Sequence, residues 1–105
     1  MEKHMRKFKD YLIETLKDNE EAQAYLNTAL EEYKKDNDAE AFLLALRDVA
    51  EAQGGLACLA KKTNLNRQNL YKVLSGKTNP KLMTLGVILN GLGFHLSVEQ
   101  NREVV

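Results

Sequence analysis

At 105 residues the chain has room for one hydrophobic core and not for two, so a single small domain is expected. Its one cysteine, Cys58, cannot form an internal disulfide, and no Cys/His cluster has metal-ligand spacing, which fits a reducing cytoplasm and no cofactor. No signal peptide and no apolar run long enough to cross a membrane is expected, and the formal net charge of zero at first argues against nucleic acid.

Taken in order, Met1 to Lys9 reads as a basic, frayed lead. Phe8, Leu12 and Leu16 at spacing four, with Tyr11 beside them, predict a short amphipathic helix of about two to three turns. Asp18-Asn19-Glu20-Glu21 has the form of a capping box. The helix behind it carries Ala22, Tyr25, Leu26, Ala29, Leu30 and Tyr33 on one face and ends near Lys34-Lys35. Asp36-Asn37-Asp38 makes a turn, with Asp38 as the cap of a third helix. Phe42, Leu43, Leu46, Val49 and Ala50 form its stripe, and Gly54-Gly55 stops it.

Residues 55–74, GLACLAKKTNLNRQNLYKVL, organise the rest. Leu56, Leu59 and Ala60 recur at helical spacing, Thr63-Asn64-Leu65 breaks the pattern, and Leu70, Val73 and Leu74 resume it. Asn64 stands where a tight turn needs left-handed backbone, Leu65 plugs the angle, and Asn66 caps the second helix. Ala60 is small where two steeply crossing helices tolerate little bulk, and Cys58 packs as a small apolar residue. Opposite the apolar side lie Arg67, Gln68, Tyr71, Lys72 and Ser75, with Asn69 on the shoulder. Arg, Gln, Asn and Lys match the donor and acceptor pattern of base edges in the major groove. A polar face that merely meets water is the alternative; helix, Asn-bearing turn and helix in one register favour DNA.

The charge is unevenly distributed. Residues 1–9 carry +3 and residues 10–51 carry −8, whereas residues 53–98 hold six basic side chains and no acidic one. An acid-free stretch around the helix pair is the footprint expected for phosphate contact. The acidic half fits a basic partner, or simply a solvated surface.

After the second helix, Ser75-Gly76-Lys77-Thr78-Asn79-Pro80 is a loop whose Lys77, Thr78 and Asn79 are placed to touch phosphates. Leu82, Leu85, Ile88, Leu89 and Leu92 mark the last helix, ended by Gly91 and Gly93. Phe94-His95-Leu96-Ser97-Val98 alternates with period two and is expected as a short β-strand. A lone strand cannot satisfy its own edge, so it either docks on its own domain or pairs with a second copy. Pairing is the preferred reading, making Phe94, Leu96 and Val98 a dimer interface for two DNA half-sites about 34 Å apart.

The segments YLNTALEE, FLLALRDVAEAQGG and LAKKTNLNRQNLYKVLSGKTNPKLMTLGVILNGLGFHLSV resemble the addiction-module antidote proteins, HigA-like antitoxins with a phage-repressor-type helix-turn-helix. The similarity spans about residues 8–98, and RDVAEAQGG and LYKVLSGKTNP are its most specific parts. The family pattern places Gly-Asn-Pro after the recognition helix, which is lengthened here by Lys77 and Thr78. The resemblance implies an antitoxin that neutralises a basic RelE/ParE-like toxin and represses its own operon. The expected fold is all-α, with five to six helices, a central helix-turn-helix and a short C-terminal β-strand. Residues 1–17 would form an N-terminal arm with a short helix, and residues 18–105 the DNA-binding domain. Phe8, Tyr11, Leu12 and Leu16 are the apolar residues with which the arm would meet a toxin, although core packing is the commoner fate of such side chains.

Two other function classes compete with this one. A stand-alone regulator without a toxin differs only in its genetic neighbour. An enzyme has little support, because His4 and His95 lie near no nucleophile with an orienting group, and Gly54-Gly55 lacks the Lys-Ser/Thr of a phosphate loop.

Overall fold

A computed structural model describes the backbone of residues 2–102 and the side chains from Lys7 onward. It is all-helical, with six helices among the described residues: α1 Glu2–Thr15, α2 Asn19–Asp36, α3 Glu40–Ala52, α4 Gly55–Thr63, α5 Arg67–Val73 and α6 Leu82–Gly91. No described helix is long and apolar enough to cross a membrane.

Helix α3 is the hub. It buries Phe42, Leu43, Ala45, Leu46, Val49, Ala50 and Ala52, more than one stripe, because α1, α2 and α4 all pack on it. Leu16, Leu26, Leu56, Leu59, Leu70, Leu74, Ile88, Leu89 and Leu92 complete one continuous core. Tyr25 joins α2 to α3 by donating its hydroxyl to Asp48 Oδ2 at 2.7 Å. Burial first, and then this carboxylate, push the phenol well above its ordinary pKa. Gln53 Nε2 donates to Leu16 O at 3.2 Å and Asn19 Oδ1 at 3.0 Å, fastening the α1–α2 turn to the end of α3.

Local rules explain the boundaries. Asp18 caps α2 by accepting from Glu20 N and Glu21 N at 2.8 and 3.3 Å. Asn37 closes that helix in the left-handed region, at φ 59°. Asp38 Oδ1 accepts from Glu40 N at 2.9 Å and so serves the start of α3. Gly54, at φ 111°, separates α3 from α4 with a backbone that other residues rarely adopt.

Two expectations need correction. The basic lead is not frayed along its length: α1 begins at Glu2, since Lys and Arg are good helix formers and nothing in residues 2–9 breaks a helix. The C-terminal β-strand is absent; Phe94 to Val98 runs without a ladder, and no strand occurs among the described residues. Gly93, at φ 91°, ends α6, and Phe94 N then donates to Leu89 O at 2.8 Å. That helix-capping bond turns Phe94 inward against the core. Period-two alternation was therefore insufficient, because a strand also requires a second extended segment beside it.

Candidate nucleic-acid interface

Helices α4 and α5 are joined by a three-residue turn whose parts have separable tasks. Thr63 Oγ1 donates to Leu59 O at 2.8 Å and accepts from Leu65 N at 3.3 Å. Asn64 takes φ 59°, ψ 19°, the left-handed conformation that Asn accepts at least cost among residues with a Cβ. Leu65 packs half-buried into the angle, and Asn66 Oδ1 accepts from Gln68 N at 2.7 Å. Inward, Leu70 and Leu74 are fully buried. Outward, Arg67, Gln68, Asn69, Tyr71 and Lys72 are all exposed on one short helix.

In the loop after α5, two of the candidate side chains already hold hydrogen bonds. Ser75 Oγ donates to Lys72 O at 2.8 Å and accepts from Lys77 N at 3.3 Å, while Thr78 Oγ1 donates to Val73 O at 2.9 Å. A hydroxyl has one proton to give. In this conformation Ser75 and Thr78 therefore shape the loop, with no proton left for a phosphate. Lys77 and Asn79 remain exposed beside it.

The sequence reading missed Arg47, which stands in the acidic half of the chain. Its guanidinium lies 5.4 Å from the Tyr71 ring centroid, within cation–π range. Its Nε also pairs with Glu51 Oε1 at 3.5 Å, and Glu51 Oε2 pairs with Lys9 at 3.6 Å. The available signal was the spacing of Arg47 and Glu51, an i,i+4 pair on one face of α3.

The remaining candidate residues divide. On α1, Phe8 and Tyr11 are 69% and 72% exposed, but Leu16 is 1% exposed and Leu12 packs half-buried on the core. Leu12 and Leu16 thus belong to the core and leave the set of surface anchors. Leu96 and Val98 are exposed, whereas Phe94 is not a free interface residue. An open groove of about 670 Å³ between α2 and the tail gathers His95, Ser97 and Glu99 along one segment. Among the described residues no hydrogen bond links them, and no three His, Cys, Asp or Glu side chains group to hold a metal.

A family model described as "probable addiction module antidote protein" matches residues 5–100. A Haemophilus influenzae Rd protein described only as uncharacterized is 36% identical over 95 residues, which cover 90% of this chain and 93% of that protein. No solved structure gives a significant match. With a helical core carrying an exposed polar helix, and a match spanning nearly its whole length, the chain belongs to the addiction-module antidote family.

Proposed function

We propose that this protein is the antitoxin of a toxin–antitoxin module and that it represses its own operon through α4 and α5, acting as a helix-turn-helix. The observation that carries the DNA reading is the geometry of α5: an Asn-capped helix anchored by Leu70, presenting Arg67, Gln68 and Lys72 to solvent. These three side chains read base edges, with Asn69 on the shoulder. Tyr71, Lys77 and Asn79 position the protein on the backbone. It works by binding rather than catalysis, in the cytoplasm.

The toxin is of the RelE/ParE type, a basic protein drawn to the acidic surface of residues 10–51, which carry −8. Phe8 and Tyr11 are the apolar anchors for it. Capture of such a toxin is expected to fall at least tenfold for Phe8→Ala/Tyr11→Ala, a loss of about 1.4 kcal/mol. Undiminished capture would move the contact elsewhere, and no capture by the intact protein would favour a stand-alone regulator.

A second copy covers α6. This helix contains no charged residue, yet Leu82 and Met83 are 71% and 80% exposed. Leu96 reaches across it: a Cβ built at Gly86 would lie 4.0 Å from Leu96 Cδ1. An uncharged apolar face suits a copy of itself better than a basic toxin or DNA, and two half-sites require a two-fold axis. The dimer thus forms by side-chain packing of Leu82, Met83, Val87, Leu96 and Val98 rather than by strand pairing.

Fluorescence anisotropy with a duplex from upstream of the gene, at stated salt, tests the DNA reading. Arg67→Ala is expected to cost about 1–3 kcal/mol and to relax sequence preference, whereas Lys77→Ala weakens all sequences alike and flattens the salt slope. Equal losses for both variants on upstream and random DNA would break the division into readers and positioners.

A further inference from the structure

Residues 40, 44, 47 and 51 of α3 are spaced four, three and four apart and so lie on one face. Their neighbours run in order along the helix. Glu40 and Leu44 close on Gly76, where an added Cβ would come within 2.9 Å of Glu40 Cγ. Arg47 comes next, over the Tyr71 ring, and then Glu51, which holds Lys9 of α1. As α3 advances from 40 to 47 its partners fall from Gly76 in the following loop to Tyr71 in α5, so the chain from 71 to 76 runs along this face in the opposite sense. Glu51, one turn beyond Arg47 on this face, thus holds Lys9 on the side of Tyr71 away from Gly76.

We infer that Arg47 and Lys9 form a second DNA-contacting element, binding backbone phosphates at the rim of the groove that α5 enters, with Glu51 holding both cations until DNA arrives. The inference rests on the DNA reading above and extends it to two helices outside the α4–α5 pair. Its physical basis is size. A helix with side chains is about 10–12 Å across and fills a major groove about 12 Å wide, so cations beside that helix, rather than on it, face the phosphate rims. Arg47, 5.4 Å from a side chain of α5, is such a cation.

The pairs with Glu51, at 3.5 and 3.6 Å, are long and partly exposed, with Lys9 58%, Arg47 36% and Glu51 30% accessible. Pairs of this kind exchange readily, and a phosphate oxygen competes well for a guanidinium. Two cations on one carboxylate leave the cluster at net +1, so the acid does not cancel the patch. Lys9 thereby gains a role distinct from that of its neighbours Phe8 and Tyr11, which serve the toxin.

Anisotropy titrations over a salt series, with the full-length protein on the upstream duplex and on a random duplex, test this. Arg47→Gln and Lys9→Gln are each expected to weaken both duplexes about five- to tenfold near 0.1 M salt and to reduce the salt slope by about one. Arg47→Lys should retain the slope, Glu51→Gln should tighten both duplexes, and Lys17→Gln, just past the far end of α1 and paired with Glu14, should change nothing. A stability role for Arg47 would lower the melting temperature without this charge-specific pattern. Wild-type binding with the Lys9→Gln and Arg47→Gln slopes unchanged would overturn the inference alone. Failure of the wild type to bind either duplex would overturn it together with the DNA reading.

Discussion

Gly91→Val is expected to destabilise the fold by about 1–3 kcal/mol, read by urea denaturation as a lower midpoint with an unchanged m-value. The reason is the approach of α6 to α4. A Cβ at Gly91 would lie 2.7 Å from Thr63 Cγ2 and 2.9 Å from Leu59 Cδ1. Leu59 is 2% exposed and cannot swing aside, and the β-branched Thr63 has little rotamer freedom in a helix. Replacing a helical glycine ordinarily gains up to about 1 kcal/mol of propensity, so a net loss isolates the packing conflict. Thr63→Ser removes the obstructing methyl but keeps the hydroxyl that bonds Leu59 O and Leu65 N. Combined with Gly91→Val it should recover part of the loss, with a coupling of about 0.5–2 kcal/mol. A neutral Gly91→Val, or strictly additive effects, would mean that α4 and α6 are not held this closely.

What the sequence made legible follows a distance rule. Features decided within about four residues were readable: the Asp18 and Asn66 caps, the left-handed Asn64, the stop at Gly54 and the Gly93 terminus. Features decided by tertiary neighbours were not. Phe8, Leu12 and Leu16 share a spacing of four, but each step advances about 40° around the helix beyond a full turn. Phe8 and Leu16 therefore diverge by about 80°, enough for one to face solvent and the other the core. Only the docking of α1 on α3 fixes where that division falls. The hydroxyls of Ser75 and Thr78 are a local exception: they donate to Lys72 O and Val73 O, three and five residues back, at the end of α5. Arg47 was hidden by averaging: it sits in a stretch of net −8, yet the fold delivers it to the acid-free half.

The surfaces of the molecule differ in kind. Charge separates them before any contact is considered. The acidic helices suit a basic protein, and the acid-free helix pair suits phosphate. The uncharged α6 suits a surface equally uncharged. Helix α1 departs from this division, because its basic Lys9 and its exposed Phe8 and Tyr11 occupy one helix. A toxin seated on those aromatics would lie close to any phosphate that Lys9 met.

The proposed dimer face gives the other large expected effect. Met83→Glu places a charge on a helix that has none, at a position 80% exposed, so the fold itself should tolerate it. Paired across a two-fold axis the change acts twice, burying two like charges near each other, and the interface should open. Light scattering at micromolar concentration should show the mass falling from dimer to monomer. Affinity for the upstream duplex should drop about 100-fold or more, since the second α5 is no longer delivered at the local concentration that linkage provides. Binding to random DNA, a sum of phosphate contacts from each copy, should fall far less. Tyr33→Glu, an exposed aromatic on α2, serves as the control and should leave the mass unchanged. A dimer that survives Met83→Glu, or a wild type that is monomeric, would take α6 out of the assembly. The two half-sites would then have to be joined through some other surface, and an uncharged, exposed α6 would need a different partner to cover it.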